Sequence, residues 1–287
     1  EEPFYVFLPT QLDPHFEIRD YGIGLSEKDV LNLYSTYFDS DKDQSNESIG
    51  AFGLGSKTPF SYVSSFTVTS WFNGQKKIYT AYIDEEKVPN IVKVHEEDSE
   101  ESNGLSVSFS VKNSDINLFY ERAAIVYRPF ETKPIFNDPN FEPLEYNKIH
   151  EGSNFFLSKE RDHYRTFSFK AIYGNIEYPI SEYEIEKNEK IREFSYAIRT
   201  SGTLYIHFPL GELDVALSRE ELSYDEQTKK NLRTTIESVI DEIVEGMNKE
   251  IQSQKNFWKA RKVYQKYISF RELITKDFRG QKLNNHF

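Results

Sequence analysis

Apolar residues fall along this chain with two periods. Phe4-Tyr5-Val6-Phe7-Leu8 is a continuous apolar run closed by Pro9, the pattern of a buried strand. Phe16-Glu17-Ile18-Arg19 alternates as a second short strand. Ser26-Glu27-Lys28-Asp29 then sets a capping hydroxyl three residues before an acid. Val30, Leu31, Leu33, Tyr34 and Tyr37 follow at helical spacing, which predicts a helix. Residues 39–48 are polar and aperiodic and predict a loop, and a short helix is expected over 56–62. Residues 65–72 and 77–84 flank Asn73-Gly74, the strongest short hairpin signal. A further strand is predicted at 105–111 after Asn103-Gly104, then a helix at 115–128 stopped by Pro129. Helix, glycine loop, helix and strand meander in that order argue for an α+β sandwich with helices on one face.

A second unit is expected after Pro139. Residues 166–173 and 176–180 flank Gly174-Asn175 as a hairpin, 203–208 and 213–217 read as strands, and 227–250 as a long amphipathic helix. Beyond it the segment from Lys255 interleaves Phe257, Trp258, Tyr264, Tyr267 and Phe270 with lysines and arginines and reads as a helical tail. The expected division is therefore 1–138, 139–250 and 251–287.

Composition narrows the chemistry. The 287 residues include no cysteine, which excludes disulfides, thiolate catalysis and cysteine-ligated zinc. The six histidines are scattered without a His-x-x-x-His pair, so no metal ligand is assigned. The net charge is −12, yet the stretch from Lys249 onward carries ten basic and three acidic residues, leaving the rest strongly acidic. Such a body repels nucleic acid on average. The run Glu96-Glu97-Asp98-Ser99-Glu100-Glu101 reads as a solvated loop tip. The basic aromatic tail either packs on the second unit or meets an anionic membrane or a protein partner, with nucleic acid ranked behind these. A chain that opens on Glu1-Glu2-Pro3 rather than Met is expected to be a piece of something longer.

Two glycine-bearing loops carry the candidate chemistry. In Asp20-Tyr21-Gly22-Ile23-Gly24, a carboxylate at a strand end can accept a hydrogen bond from a purine amine. The glycines let the backbone turn tightly beside a flat ring. The same residues are also ordinary turn chemistry. In Gly50-Ala51-Phe52-Gly53-Leu54-Gly55, free N–H groups ahead of a short helix suit phosphate oxygens, with Ser56, Lys57 and Thr58 just inside that helix. A Walker A loop is excluded because Ser56 intervenes before Lys57 and no strand precedes Gly50. The dinucleotide spacing Gly-x-Gly-x-x-Gly is absent.

The pair of loops, separated by a helix and a polar stretch, resembles the Bergerat ATP-binding fold of the GHKL group. That group includes gyrase B subunits, the large heat-shock chaperones, histidine kinases and MutL. The resemblance implies that Asp20 and Gly22 meet adenine and that Gly24 packs by the ring. It also implies that Gly50, Gly53, Gly55, Ser56 and Lys57 lie at the phosphates of ATP. Ser106, after Gly104, is the nearest match to a threonine that supports the adenine-binding acid in that group. Leu213-Asp-Val-Ala-Leu-Ser218-Arg219-Glu220 is similar to a chaperone middle-domain segment, which implies that Arg219 senses the γ-phosphate. An Arg219–Glu220 pair at a helix start is the plainer alternative. Family members carry Glu-x-x-x-Asn on an earlier helix as base and Mg²⁺ holder. The 19 residues before Asp20 hold two strands and a turn instead, so the sandwich is expected to be incomplete and the Mg²⁺ ligand to lie upstream.

Leu12-Asp-Pro-His-Phe-Glu-Ile-Arg-Asp20-Tyr-Gly, Gly53-Leu-Gly-Ser-Lys57-Thr-Pro-Phe, Tyr127-Arg-Pro-Phe and Ser218-Arg-Glu together resemble the rIIA-like proteins of tailed bacteriophages. That resemblance implies an ATP-driven switch in the host cytoplasm, peripheral to the inner membrane, acting on lysis timing or defence. GHKL relatives further imply a homodimer. The alternative is a non-catalytic scaffold that keeps the fold and works through its second unit or tail.

Overall fold

The computed structural model describes residues 3–35, 55–159, 169–185, 188–199, 202–216 and 220–283. The chain forms two compact units, Glu1–Glu145 and Tyr146–Phe287.

In the first unit the elements run β1 (Tyr5–Phe7), β2 (His15–Arg19), α1 (Glu27–Ser35), a 3-10 helix (Gly55–Ser61), β3 (Ser65–Phe72), β4 (Gln75–Ile83), β5 (Pro89–Asp98), β6 (Gly104–Ser110), α2 (Ile116–Val126) and β7 (Ile135–Phe136). The seven strands form one sheet ordered β5-β4-β3-β6-β2-β1-β7, antiparallel throughout except for the parallel β1–β7 pair. Asn73 and Gly74 both take positive φ, 52° and 77°, so the predicted hairpin turn forms between β3 and β4. The Ser26 Oγ accepts the Asp29 N–H at 3.3 Å and starts α1 as expected.

Register decides which side chains meet. Ile18 lies opposite Val107 and Val107 opposite Val68, whereas Arg19 lies opposite Ser106 and Ser106 opposite Thr69. With a side-chain period of two, Phe16, Ile18, Val107, Phe109 and Val68 line one face, and Glu17, Arg19, Ser106, Ser108 and Thr67 the other. Helices cover the apolar face at its two sides. Val30 and Tyr34 of α1 pack with Phe66, Val68, Tyr79 and Ala81, while Ala123 and Tyr127 of α2 pack with Val6 and Leu8. Between them run the central strands β2 and β6.

The acidic run after His95 is not simply a loop tip. Glu96, Glu97 and Asp98 end β5, the sheet's edge strand. Glu96 pairs with Lys93 at 2.7 Å and Lys77 at 3.3 Å, and Glu97 with Lys76 at 3.2 Å. An edge strand keeps much of its surface in water, so charges there are tolerated and guard against pairing with other chains. Glu27 at the start of α1 joins the same lysines, 2.9 Å from Lys93 and 3.2 Å from Lys77. Those two ammonium groups hold its carboxyl below the ordinary range.

The second unit begins with β8 (Lys148–Glu151) and β9 (Phe155–Ser158), then β10 (Phe169–Tyr173), β11 (Ile176–Pro179), α3 (Glu182–Ile185), α4 (Glu189–Ile198) and β12 (Thr203–Phe208). Short strands β13 (Asp214–Val215) and β14 (Leu222–Ser223) lead to α5 (Glu226–Gln252), α6 (Phe257–Lys266) and a hairpin of β15 (Asp277–Phe278) and β16 (Gln281–Lys282). The five-stranded sheet is ordered β11-β10-β12-β9-β8. Its β10–β12 pair is parallel, and the crossover that such a pair requires contains α3 and α4. One core joins Phe169, Leu204 and Ile206 from the sheet, Phe194 and Ile198 from α4, and Leu232, Ile236 and Ile240 from α5. Tyr264, Phe270, Ile274, Phe278 and Leu283 belong to that core too. Residues 251–283, set apart by composition, are structurally part of this unit, and the units divide at Glu145/Tyr146 rather than at 138/139. Among the described residues no helix is long and apolar enough to cross a membrane.

Candidate functional site

The strand β2 delivers Asp20 to the rim of the apolar face. Its backbone N–H donates to the Leu105 carbonyl at 2.9 Å, extending the β2–β6 ladder by one bond. Its carboxylate is used on one side. Oδ1 accepts the Gly22 N–H at 2.9 Å and the Leu105 N–H at 3.2 Å. No described residue donates a hydrogen bond to Oδ2. Two backbone donors thus fix the orientation of the group and leave one charged acceptor for a ligand.

The loop after Asp20 needs its glycines for different reasons. Gly24 takes φ 73°, and a Cβ there would lie 2.0 Å from the Trp71 carbonyl oxygen. Gly104, across the loop, has its absent Cβ position 2.2 Å from the Asp20 carbonyl oxygen. Gly22 is not in the left-handed region, and its role is the N–H it gives to Asp20.

Ser70, which sequence patterning did not single out, completes the fastening. Buried on β3, its hydroxyl accepts the Leu25 N–H at 3.0 Å and donates to the Leu25 carbonyl at 2.7 Å. On the sheet's other face Arg19 lies 3.9 Å from the Trp71 ring centroid and 2.8 Å from Glu101. That guanidinium holds the Glu101 carboxyl below the usual range. The loop is therefore fastened to β3 at Leu25, and Arg19 anchors the end of β2 that leads into it on the other face. Tyr34 is buried near Asp20, and burial first, then the charge of Asp20, raises its hydroxyl pKa and keeps it neutral.

Asp20 stands at one end of a pocket of about 380 Å³ on the central strands. Ile18, Leu105 and Val107 form its apolar floor, and Ser56, Thr58 and Tyr62 its opposite wall. Tyr62 is held in place, its hydroxyl donating to Asp115 at 2.6 Å and accepting the Lys112 N–H at 3.0 Å. The volume falls in the range of small-ligand sites, and the mix of apolar floor with a few placed polar groups is typical of them.

The sequence-derived site residues divide. Asp20, Gly22 and Gly24 form one loop, and Ser56 faces the same pocket as Asp20. Gly55 opens the 3-10 helix that carries Ser56. Lys57 is placed differently from the phosphate role. It is buried, and its Nζ donates to the Leu33 carbonyl at 2.7 Å in the last turn of α1. It does not line the pocket.

Ser106 is also placed differently. It lies on the face opposite Asp20 and donates to Glu17 Oε1 at 2.6 Å, so the residue of β6 on the side of Asp20 is Leu105. Ser106→Ala should therefore leave ligand affinity at the pocket unchanged, which calorimetry with ATP checks. Gly50, Gly53, Ser218 and Arg219 lie outside the described residues. Among the described residues no group of three or more histidines or carboxylates could hold a metal ion.

Residues 5–114, which include this loop and pocket, match the family model described as "Histidine kinase-, DNA gyrase B-, and HSP90-like ATPase". Among solved structures, the ATPase region of Saccharomyces cerevisiae topoisomerase II is similar both as such and bound to ICRF-187 (dexrazoxane). Each has a TM-score of 0.50 at 10% identity, covering 84% of this chain and 79% of its own. The chain has the GHKL fold. No curated protein matches the sequence. At 10% identity the structural likeness carries the GHKL fold alone, so what the pocket binds rests on its own residues.

Proposed function

We propose that the first unit binds ATP, with the adenine amine donating to Oδ2 of Asp20. The observation that carries this reading is the one-sided use of that carboxylate at the end of an apolar pocket. Oδ1 is occupied by two backbone N–H groups, so the exposed oxygen meets a donor from the ligand. Adenine presents an amine there. Guanine presents a carbonyl oxygen, and two acceptors facing each other lose the bond and repel. The floor of Ile18, Leu105 and Val107 suits a flat apolar ring.

In the same reading the hydroxyls of Ser56 and Thr58, which line the pocket, lie toward the phosphates. Mg²⁺ would neutralise the phosphates when bound. The passages similar to rIIA-like proteins support an ATP switch in an infected host cell, at the inner membrane.

ATP that binds the folded state alone stabilises it by mass action, about 2.7 kcal/mol at a hundredfold excess over Kd. A thermal-unfolding scan with ATP and Mg²⁺ is expected to raise the midpoint by several degrees. An unchanged midpoint would favour the scaffold reading, in which the fold is kept without nucleotide.

A further inference from the structure

Uncompensated charge gathers at one corner of the second unit. The acids among residues 249–283 are already engaged. Glu250 pairs with Lys266 at 3.3 Å and also accepts from Tyr267, and Glu272 pairs with Lys276 at 2.8 Å and Arg271 at 3.3 Å. The Asp277 carboxylate accepts the Gly280 N–H at 2.9 Å. Lys255, Lys259 and Lys262 are exposed and form no side-chain hydrogen bond or ion pair with a described residue. Arg279 reaches the residue that precedes Lys255. Its Nη2 donates to the Gln254 carbonyl at 3.4 Å, from a turn in which Arg279 and Gly280 both have positive φ, 50° and 85°.

Among these cations Trp258 is 67% exposed, its ring set edge-on to Phe257 at 5.7 Å between centroids. The start of α6, capped by Asn256 accepting the Lys259 N–H at 3.0 Å, adds the partial positive charge of a helix N-terminus.

We propose that this corner is a docking surface for single-stranded nucleic acid. Trp258 stacks on an unpaired base, and Lys255, Lys259, Lys262 and Arg279 meet the phosphates. Composition alone ranked a membrane surface ahead of nucleic acid, but packing reverses that order. A helix lying on a bilayer needs an apolar face to bury, and α6 has spent its own. Ala260 and Tyr264 are buried in the core, and Phe257, Val263 and Tyr267 pack against it. What remains outward is one aromatic ring among cations. That arrangement suits a base stacked beside a neutralised backbone, and it is sequence-tolerant because every base has a flat face. The acidic excess of the whole chain limits the affinity and makes it salt-dependent, without removing the local field.

The test is a fluorescence-anisotropy titration of labelled oligothymidylate with the full chain at low salt, against a duplex and vesicles of phosphatidylglycerol. The account expects single-strand binding with a log–log salt slope of about −3, from four phosphates at roughly −0.7 each. Trp258→Ala should weaken it roughly tenfold, the middle of the range for losing one stacked base. Lys255→Glu with Lys259→Glu should abolish it. All three side chains are exposed, so unchanged unfolding midpoints check that the variants fold. No binding to the single strand, equal binding to duplex, binding indifferent to these substitutions, or capture by vesicles alone would each overturn the proposal.

Discussion

Gly24→Ala is expected to lower the unfolding midpoint of the first unit by roughly 10 °C and to abolish nucleotide binding, on a destabilisation of about 2–5 kcal/mol. Two costs add. An alanine at φ 73° occupies the left-handed region that Cβ disfavours. The added carbon would also lie 2.0 Å from the Trp71 carbonyl oxygen, a backbone atom within β3 that no rotamer change can move. Either the loop lifts off the strand, breaking the Ser70–Leu25 clamp, or β3 shifts within the sheet. Both displace Asp20. Gly22→Ala is the control. There the new Cβ would lie 3.2 Å from Asp20 Oδ1, a side-chain atom, and no positive φ is involved, so stability should fall far less. Thermal scans of the two variants side by side measure the difference. Equal losses would show that the close packing of Gly24 on β3 is not what holds the loop.

Asp20→Asn should weaken ATP binding by about 1.5–3 kcal/mol, roughly ten- to 150-fold in Kd. The geometry forces the orientation of the new amide. The Gly22 and Leu105 N–H groups both require an oxygen at the Oδ1 position, so the amide nitrogen must take the place of Oδ2. A donor then faces the adenine amine, while the carbonyl of guanine finds the partner it lacked. The variant should therefore lose ATP and gain relative affinity for GTP. A loss of ATP without that change in preference would mean that Asp20 shapes the loop but does not read the base. Because the backbone bonds to Oδ1 survive, the variant should unfold near the native temperature.

Much of the Asp20 end of the pocket was legible in the sequence, because its parts are local. The Asp20 turn, the Ser26 cap and the Asn73-Gly74 hairpin are each set by residues within a few positions of one another. Strand register is not local, and Ser106 shows the consequence. It is the right kind of residue one position from the right place, and with a period of two a single step moves it to the other face of the sheet. Ser70 carries no local signal for a related reason. Its importance lies wholly in a contact with Leu25, 45 residues away. Lys57 sat where a phosphate ligand would sit, but the 3-10 helix turns its side chain toward α1. The end of β5 was hidden by its charges, which read as loop because edge position cannot be seen in a single strand. The C-terminal segment read as a separate tail because composition averages over both faces of a helix. Its alternation of Ala260 and Tyr264 with Trp258 and Lys262 already divides core from surface.

The most direct measurement of the central claim is a pair of calorimetric titrations of this chain, one with ATP and one with GTP. The Asp20 geometry predicts saturable binding of ATP at one site per chain and no measurable heat from GTP. Equal affinities for the two nucleotides, or no binding of ATP, would contradict it.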